Sequence, residues 1–235
     1  MNILVTGASK GIGKSIAEKL LGLGKVYVTA RNEEALKQIK CDGYFVCDLS
    51  DEKNLIELGK YIEEKEIDVL VNNAGEYIYS SLGDTKIDEL SHIINVNLKA
   101  PIYLASRAVN QMKKNHFGRI VNIGSISGVM GEANACFYSA TKAGLIGFSK
   151  ATGLELAEFG ITVNTINPGW VDTELGKASI EDGEFTESEI LECIPQRRFV
   201  SPDEVAALVK YLISDDAKGI IGQSINLCAG LSVGI

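Results

Sequence analysis

A tyrosine and a lysine four positions apart suggest acid/base chemistry. Tyr138 and Lys142 belong to the stretch YSATK, which opens a segment of helical periodicity, and side chains four residues apart project from the same helix face. A phenol ionises with a pKa of about 10, and a neighbouring ammonium group lowers that value because it favours the phenolate. We therefore predict that Tyr138 acts as general acid and base and that Lys142 lowers its pKa.

A serine and an asparagine could complete such a site. Ser125 follows the apolar run RIVNIG, which is typical of a buried strand, and ligands bind at the carboxyl ends of strands in open parallel sheets. Its hydroxyl group could hydrogen-bond a substrate oxygen. Asn97 lies in the helical stretch NVNLKAP, where it could hold a water molecule beside Lys142.

A glycine-rich turn follows the first apolar run of the chain. The stretch TGASKGIG spans residues 6–13, between the β-rich run ILVT and a segment of helical periodicity. Glycines let the backbone approach a pyrophosphate closely, and a helix N-terminus supplies amide donors and the positive end of its dipole. The spacing is Gly-x-x-x-Gly-x-Gly rather than the commoner Gly-x-Gly-x-x-Gly. We expect the phosphates of a dinucleotide to bind at Gly7, Ser9, Lys10, Gly11, Ile12 and Gly13.

The residues after the second predicted strand bear on the choice of dinucleotide. There the chain reads TARN, without the acidic residue that binds the ribose 2′-hydroxyl group of NAD. Arg31 could instead pair with the 2′-phosphate of NADP, and Lys10 could add a second positive charge. We therefore expect NADP(H) to be preferred, with the use of NAD(H) left open.

Short apolar runs alternate along the chain with longer segments of helical periodicity. This alternation predicts a Rossmann-type, doubly wound α/β fold: a parallel sheet with helices on both faces, in a single domain over residues 1–235. Nearly continuous apolar strands support it, because such strands are buried on both sides. The predicted strands are 3–6, 26–30, 44–46, 68–72, 119–123, 162–166 and 225–227; the predicted helices are 12–23, 33–39, 51–64, 90–113, 138–158 and one that begins at Pro202. The polar segment 174–200 is predicted to be an irregular, mobile substrate loop.

Composition argues against several kinds of partner. The formal net charge is −8, and an acidic surface repels nucleic acid and anionic membranes, so we expect neither. Five cysteines without a CxxC pair, and two histidines, argue against a disulfide framework and against a metal site. The N-terminal stretch has no signal-peptide pattern, and no run reaches the about 20 apolar residues of a membrane span, so we expect a cytoplasmic protein.

Together these motifs resemble those of the single-domain branch of the short-chain dehydrogenase/reductase family. The resemblance runs from Ile3 to Gly230 and includes the glycine turn, the NNAG stretch at 72–75 and the interval between Ser125 and Tyr138. It implies a catalytic tetrad of Asn97, Ser125, Tyr138 and Lys142. It also implies that cofactor is bound by Asp48, Leu49, Asn73, Ala74, Gly75, Tyr138, Lys142, Pro168, Gly169, Val171 and Thr173.

The resemblance implies a hydride transfer between nicotinamide and a carbonyl compound or a secondary alcohol. The carbonyl oxygen would lie between Ser125 and Tyr138, and Tyr138 would donate the proton. Lys142 would bind the nicotinamide ribose, and Asn97 would position a water molecule that relays protons. Asp48 would contact adenine, and residues 167–173 would hold the nicotinamide carboxamide.

The second half of the chain is most similar to the 3-oxoacyl-[acyl-carrier-protein] reductases of fatty acid biosynthesis, in GRIVNIGSISGVMG and YSATKAGLIGFSKA. This resemblance implies reduction of a 3-oxoacyl thioester. Two departures are AEFG at 157–160, where those reductases often carry a basic residue that docks the carrier protein, and CAG at 228–230 in place of Asp-Gly-Gly. The alternative is a reductase or dehydrogenase of small cyclic, sugar or steroid alcohols, since one fold hosts all of these. A non-catalytic cofactor-binding regulator is disfavoured, because the full tetrad is present.

Members of this family pair through the two long helices predicted here over 90–113 and 138–158. Both carry more apolar residues than one buried face needs, among them Ile102, Leu104, Phe148 and Leu154. We therefore expect a homotetramer, with a homodimer as the alternative.

Overall fold

One parallel sheet forms the centre of the computed structural model, which describes residues 1–182 and 186–233. Within these residues the sheet has seven strands in the order β3-β2-β1-β4-β5-β6-β7. They are β1 (Asn2–Thr6), β2 (Lys25–Ala30), β3 (Gly43–Val46), β4 (Val69–Asn72), β5 (Gly118–Ile123), β6 (Ile161–Pro168) and β7 (Ser224–Leu227). The predicted doubly wound parallel sheet is therefore confirmed.

Helices connect the strands and cover both faces of the sheet. They are α1 (Gly11–Leu20), α2 (Glu33–Lys37), α3 (Glu52–Glu64), α4 (Ile87–Ile94), α5 (Ala100–Asn115), α6 (Ser127–Met130), α7 (Cys136–Leu156), α8 (Glu174–Asp182), α9 (Glu187–Cys193) and α10 (Pro202–Leu212). Helix α1 ends earlier than predicted, because Gly22 turns the chain with a φ of +84°. Helix α7 begins before Tyr138, so that Tyr138 lies in its first turn.

Alternate side chains of each strand pack into two separate apolar layers. Ile3 of β1 packs with Ile16 of α1 and Val209 of α10 on one face of the sheet. Leu4, the next residue, packs with Leu58 of α3 and Leu104 of α5 on the other. This alternation follows from the two-residue repeat of a strand. Leu104, counted above among the surplus apolar residues of its helix, is thus a fully buried core residue.

A π-helical turn interrupts the helix that was predicted to be continuous over 90–113. Helix α4 ends at Ile94, the turn spans Asn95–Lys99, and α5 begins at Ala100. A π-turn inserts one extra residue per turn and is frequent at functional sites. Here it contains Asn97, whose side chain is fully buried.

The polar segment 174–200 is helical rather than irregular. Helix α8 and helix α9 occupy most of its described part, and Thr186 caps α9 in a capping box with Glu189. An isolated β-bridge between Val171 and Val200 joins the residues that precede and end this segment. The prediction of an irregular loop was wrong because short amphipathic helices were hidden by the many charged residues. The predicted mobility of the segment stays a prediction. Residues 183–185 of the segment lie outside the described residues.

A chain of buried polar side chains joins α7 to the middle of the sheet. The Asn72 amide donates to Asn122 Oδ1 at 2.8 Å, and the Asn122 amide donates to Ser149 Oγ of α7 at 2.8 Å. The Thr165 hydroxyl of β6 donates to the same Ser149 oxygen at 2.7 Å. Buried polar groups need such partners. These hydrogen bonds therefore fix the position of α7, which carries Tyr138 and Lys142, relative to β4, β5 and β6.

Two kinds of feature are missing from the part of the chain that the structure describes. None of its helices has both the length and the apolar character needed to cross a bilayer. Its His, Cys, Asp and Glu side chains form no group of three or more that could hold a metal ion.

Candidate active site

A cleft of about 1050 Å³ runs along the carboxyl ends of the strands. Strand β1 lies between β2 and β4, and chain connections leave such a switch point in opposite directions, which opens a crevice for ligands. Of the residues predicted to act in catalysis or to bind cofactor, those that line the cleft are Gly7, Ser9, Lys10, Gly11, Ile12, Gly13, Arg31, Asp48, Leu49, Asn73, Ala74, Gly75, Ser125, Tyr138, Lys142, Pro168, Gly169, Val171 and Thr173. Asn97 lies behind the cleft wall.

The glycine turn between β1 and α1 has a backbone conformation that requires glycine at several positions. Gly7 and Gly11 have φ values of +66° and +55°, which side chains disfavour. A methyl group at Gly13 would collide with the carbonyl oxygen of Gly7. Within the described residues, no side chain caps the start of α1 at Lys10, so the amides of its first turn remain available to an anion.

The two cations predicted to recognise a 2′-phosphate both have carboxylate neighbours. Arg31 lies 2.6 Å from Glu76, and the second Glu76 oxygen lies 2.5 Å from His92. Lys10 lies 2.6 Å from Glu174, the first residue of α8. Because a guanidinium group has five N–H donors, Arg31 can hold Glu76 and still present free donors to a phosphate.

Asp48, which follows β3, stays ionised beside Arg31. Burial alone would raise the pKa of Asp48, but hydrogen bonds from the Ser50 amide and hydroxyl, and the charges of Arg31 and His92, bring that pKa below its ordinary value. The carboxylate is therefore an acceptor that can receive an N–H or O–H group of a ligand. Its predicted contact with adenine stays a prediction.

Asn97 is locked to the backbone of Glu76. The Glu76 amide donates to Asn97 Oδ1 and the Asn97 amide donates to the Glu76 carbonyl, each at 2.8 Å. A side chain at Gly75 would meet both Asn97 Oδ1 and Lys142 Nζ. The structure thus brings Asn97 and Lys142 together behind Gly75, as the predicted proton relay requires.

Tyr138, Lys142 and Ser125 come together where α7 crosses the end of β5. Lys142, 3% exposed, donates a hydrogen bond to the Ile123 carbonyl at 2.9 Å. Its ammonium nitrogen lies 5.5 Å from the centroid of the Tyr138 ring, in accord with their shared helix face. Ser125 lies close enough to the Tyr138 hydroxyl group to lower its pKa, and both side chains line the cleft. The predicted grouping of the three side chains is therefore present.

Burial shifts the two titrating groups in opposite directions. Burial raises the pKa of Tyr138 to about 12, although the hydrogen bond with Ser125 opposes the rise. Burial also lowers the pKa of Lys142 to about 8, since an ammonium group loses its hydration. Lys142 is not among the groups that set this pKa, so its predicted lowering of the Tyr138 pKa stays a prediction. At neutral pH Tyr138 is in the protonated form that a carbonyl reduction consumes.

Several cleft residues escaped the sequence analysis. The Tyr77 ring contacts the Tyr138 ring edge-on, with 5.1 Å between centroids, and Glu132 accepts a hydrogen bond from the Tyr77 hydroxyl. Asn134 donates to the Tyr79 hydroxyl at 3.0 Å. These residues follow β4 and α6 without any recurring spacing, so no local signal could have found them.

The fold and the cleft together define a dinucleotide-dependent oxidoreductase. A family model described as Enoyl-(Acyl carrier protein) reductase matches residues 7–232. The chain belongs to the short-chain dehydrogenase/reductase family, as its motifs predicted.

Relatives of known activity resemble nearly the whole chain. The 3-oxoacyl-[acyl-carrier-protein] reductase FabG of Salmonella typhimurium is 38% identical over 97% of this chain and 96% of its own length. The structure of a variant of the actinorhodin polyketide ketoreductase with NADPH superposes with a TM-score of 0.92 at 35% identity, covering 99% of this chain and 97% of that one. YwfH, an NADPH-dependent reductase involved in bacilysin biosynthesis, gives 0.93 at 30% identity, covering 100% and 99%.

These relatives confirm the predicted class. The chain is an NAD(P)-dependent oxidoreductase that acts on carbonyl and alcohol groups. The predicted preference for NADP(H) agrees with the NADPH named for the two solved structures. The cleft fits that cofactor, because the uncapped helix amides face the predicted pyrophosphate site and Arg31 lies at the end of β2. The roles of individual residues stay predictions.

Replacing Tyr138 by phenylalanine tests the acid/base role. Tyr138→Phe keeps the ring contacts and removes the proton, so kcat should fall about 10²- to 10⁴-fold, while NADPH binding, followed by fluorescence titration, stays intact. Tyr44→Phe, an exposed tyrosine of β3, should leave kcat unchanged. Retained turnover in Tyr138→Phe would remove Tyr138 from this role.

Reversing the charge at Arg31 tests cofactor recognition. Arg31→Asp should raise the KM for NADPH roughly 10- to 100-fold, the value of a charge-assisted hydrogen bond, and should lower the KM for NADH. The control is Lys60→Asp, a charge reversal on an exposed lysine of α3 that pairs with Glu57. Unchanged NADPH kinetics in Arg31→Asp would show that Arg31 does not bind the 2′-phosphate.

Proposed function

We propose that the chain reduces the keto group of a 3-oxoacyl thioester with NADPH. The observation that carries the proposal is the placement of the Ser125 and Tyr138 side chains together in the wall of the cleft that the glycine turn also lines. Two hydroxyl groups side by side can hold one carbonyl oxygen between them. The similarity to FabG over nearly the whole chain supports a 3-oxoacyl substrate.

The chain's own residues then account for the proton chemistry. When bound, NADPH supplies the hydride that the carbonyl carbon accepts. Ser125 donates a hydrogen bond to the carbonyl oxygen, and Tyr138 transfers its proton to that oxygen as the C–O double bond becomes a single bond. Lys142 presents an N–H donor beside Tyr138, and Asn97 lies next to it, on the route by which a proton can return.

An apolar wall on one side of the cleft supports a substrate with an acyl chain. Trp170 follows β6, and Leu175 and Ile190 come from α8 and α9; all three line the cleft. Leu175 is 47% exposed, so apolar surface is available to a ligand at the cleft mouth. Burial of acyl methylene groups there is worth about 0.8 kcal/mol each.

We also propose that the enzyme is a homotetramer. Ala143, Gly147 and Ala151 form an exposed stripe along α7, and small residues allow helices to approach closely. Leu154 continues the stripe and is 83% exposed, and Ile102 of α5 is 38% exposed. Exposed apolar surface of this kind is typical of subunit contacts.

Light scattering after size exclusion tests the assembly. The wild-type chain should elute with four times the mass of one chain. Leu154→Glu should lower that mass, because it places a charge in the contact, whereas Ile56→Glu on the outer face of α3 should not. A wild-type monomer would overturn the proposal.

We further propose that the enzyme works in a reducing, cytoplasmic setting. All five cysteines are free thiols, as is usual where disulfides do not persist. Burial raises the pKa of Cys47 to about 12, so its thiol stays protonated and unreactive.

An assay with acetoacetyl-CoA tests the substrate. The absorbance of NADPH should fall when the thioester is added, and fall more slowly with NADH in place of NADPH. A panel of cyclic ketones is run beside it, with the Tyr138→Phe variant as the blank. Turnover of a small ketone without turnover of the thioester would show that the proposed substrate is wrong, while the proposed roles of Ser125 and Tyr138 would remain.

A further inference from the structure

Glu132 lies in the cleft next to the reacting groups and has no role in the chemistry described so far. It follows α6 and Gly131, whose φ of +79° turns the chain towards α7. Its side chain is half-buried and lines the cleft together with Ser125 and Tyr138.

Each carboxylate oxygen of Glu132 accepts one hydrogen bond. The Ser127 hydroxyl donates to Oε2 at 2.6 Å, and the Tyr77 hydroxyl donates to Oε1 at 2.7 Å. These lengths are typical of charge-assisted O–H···O⁻ hydrogen bonds. Burial and the hydrogen bond to Glu132 hold the pKa of Tyr77 well above its ordinary value, so Tyr77 remains a donor.

Both donors contact a reacting residue. The Ser127 hydroxyl lies 3.1 Å from the Ser125 hydroxyl, and the Ser127 amide donates to the same Ser125 oxygen at 3.1 Å. The Tyr77 ring packs against the Tyr138 ring at 72° between planes. One carboxylate therefore reaches both catalytic hydroxyl residues, each through a single intermediary.

The charge of Glu132 also fixes the direction of the hydrogen bonds. An ionised carboxylate can only accept, so the Ser127 proton is committed to Glu132. Ser127 Oγ can then accept from Ser125 but cannot donate to it. Ser125 is thus the donor between the two serines, and its proton can turn from Ser127 Oγ to a substrate oxygen when one is bound.

We propose that Glu132 is a positioning residue for the reduction: through Ser127 it orients the hydroxyl group of Ser125, and through Tyr77 it holds the ring of Tyr138. Both effects act on the step in which the carbonyl oxygen is held and protonated. None of the contacts described involves a residue of the glycine turn. The proposal rests on the reductase activity of the family and not on the thioester as the substrate.

The test is a double-mutant cycle in kcat, because a cycle measures coupling rather than damage. Glu132→Gln keeps the shape of the side chain but replaces one carboxylate oxygen by an NH₂ group. That group then faces a hydroxyl donor, either Ser127 or Tyr77, instead of accepting from it. The substitution should lower kcat about tenfold, the effect of one misdirected hydrogen bond, with the KM for NADPH unchanged. Ser127→Ala should lower kcat by a similar factor, and the double variant should be no slower than the slower single variant.

The control and the assay separate this proposal from the substrate assignment. Glu89→Gln, the same substitution on a half-buried glutamate of α4 that pairs with Lys86, should leave kcat unchanged. The carbonyl compound used is whichever member of the ketone and thioester panel the wild-type chain reduces fastest. Failure of the thioester therefore does not affect the comparison.

Three results would overturn the proposal. The first is an unchanged kcat in Glu132→Gln, and the second is a rise in the KM for NADPH as large as the loss in kcat, which indicates general distortion. The third is an additive loss of about a hundredfold in the double variant, which shows that Glu132 acts without Ser127. If Glu132→Gln fails to fold, Ser127→Ala and Tyr77→Phe each break one arm, and an unchanged kcat in both would overturn the proposal as well.

Discussion

The burial of a lysine amine is the constraint on which the arrangement of the site depends. Removing an ammonium group from water is costly unless it is paired, and Lys142, 3% exposed, finds its partner in the Ile123 carbonyl at the end of β5. That hydrogen bond fastens α7 to the strand that Ser125 follows. Tyr138, one helical turn before Lys142, is thereby placed beside Ser125.

The rest of the fold holds this junction in place. The polar chain of Asn72, Asn122, Ser149 and Thr165 joins α7 to β4, β5 and β6 with hydrogen bonds that are shielded from water. The π-turn Asn95–Lys99 places Asn97 near Lys142. The Asn97 side chain forms two hydrogen bonds with the backbone of Glu76. The site thus rests on rigid elements, as catalysis by positioned groups requires.

Local charge rather than net charge explains how an acidic chain accommodates an anionic cofactor. The chain has a formal net charge of −8, yet the cleft presents helix amides at the glycine turn and two cations, Arg31 and Lys10. Each cation pairs with a carboxylate, Glu76 or Glu174, and lines the cleft. Glu132, which also lines the cleft, accepts hydrogen bonds from Ser127 and Tyr77. Acidic side chains therefore pair with donors both at the predicted cofactor residues and near Ser125 and Tyr138.

The sequence by itself determined the features that depend on short-range patterns. The seven strands, the glycine turn before α1, and the pairing of Tyr138 with Lys142 were all predicted, because strand burial, turn chemistry and helix periodicity are written in neighbouring residues. The boundaries of α1 and α7 were less exact, since helix ends depend on a few capping contacts.

Only the tertiary structure decided the features that depend on distant segments. The π-turn around Asn97 packs between α4, α5 and α7, and helical periodicity did not reveal it. Helix α9 is different, because its capping box of Thr186 and Glu189 is a local pattern that the sequence analysis did not use. The pKa of Tyr138 lies above its ordinary value, because burial by surrounding elements outweighs the lowering effect of Ser125. Glu132 reaches Tyr77 from 55 positions away. Burial and such long-range pairs are properties of the packed chain, so no local pattern of residue types could have set them.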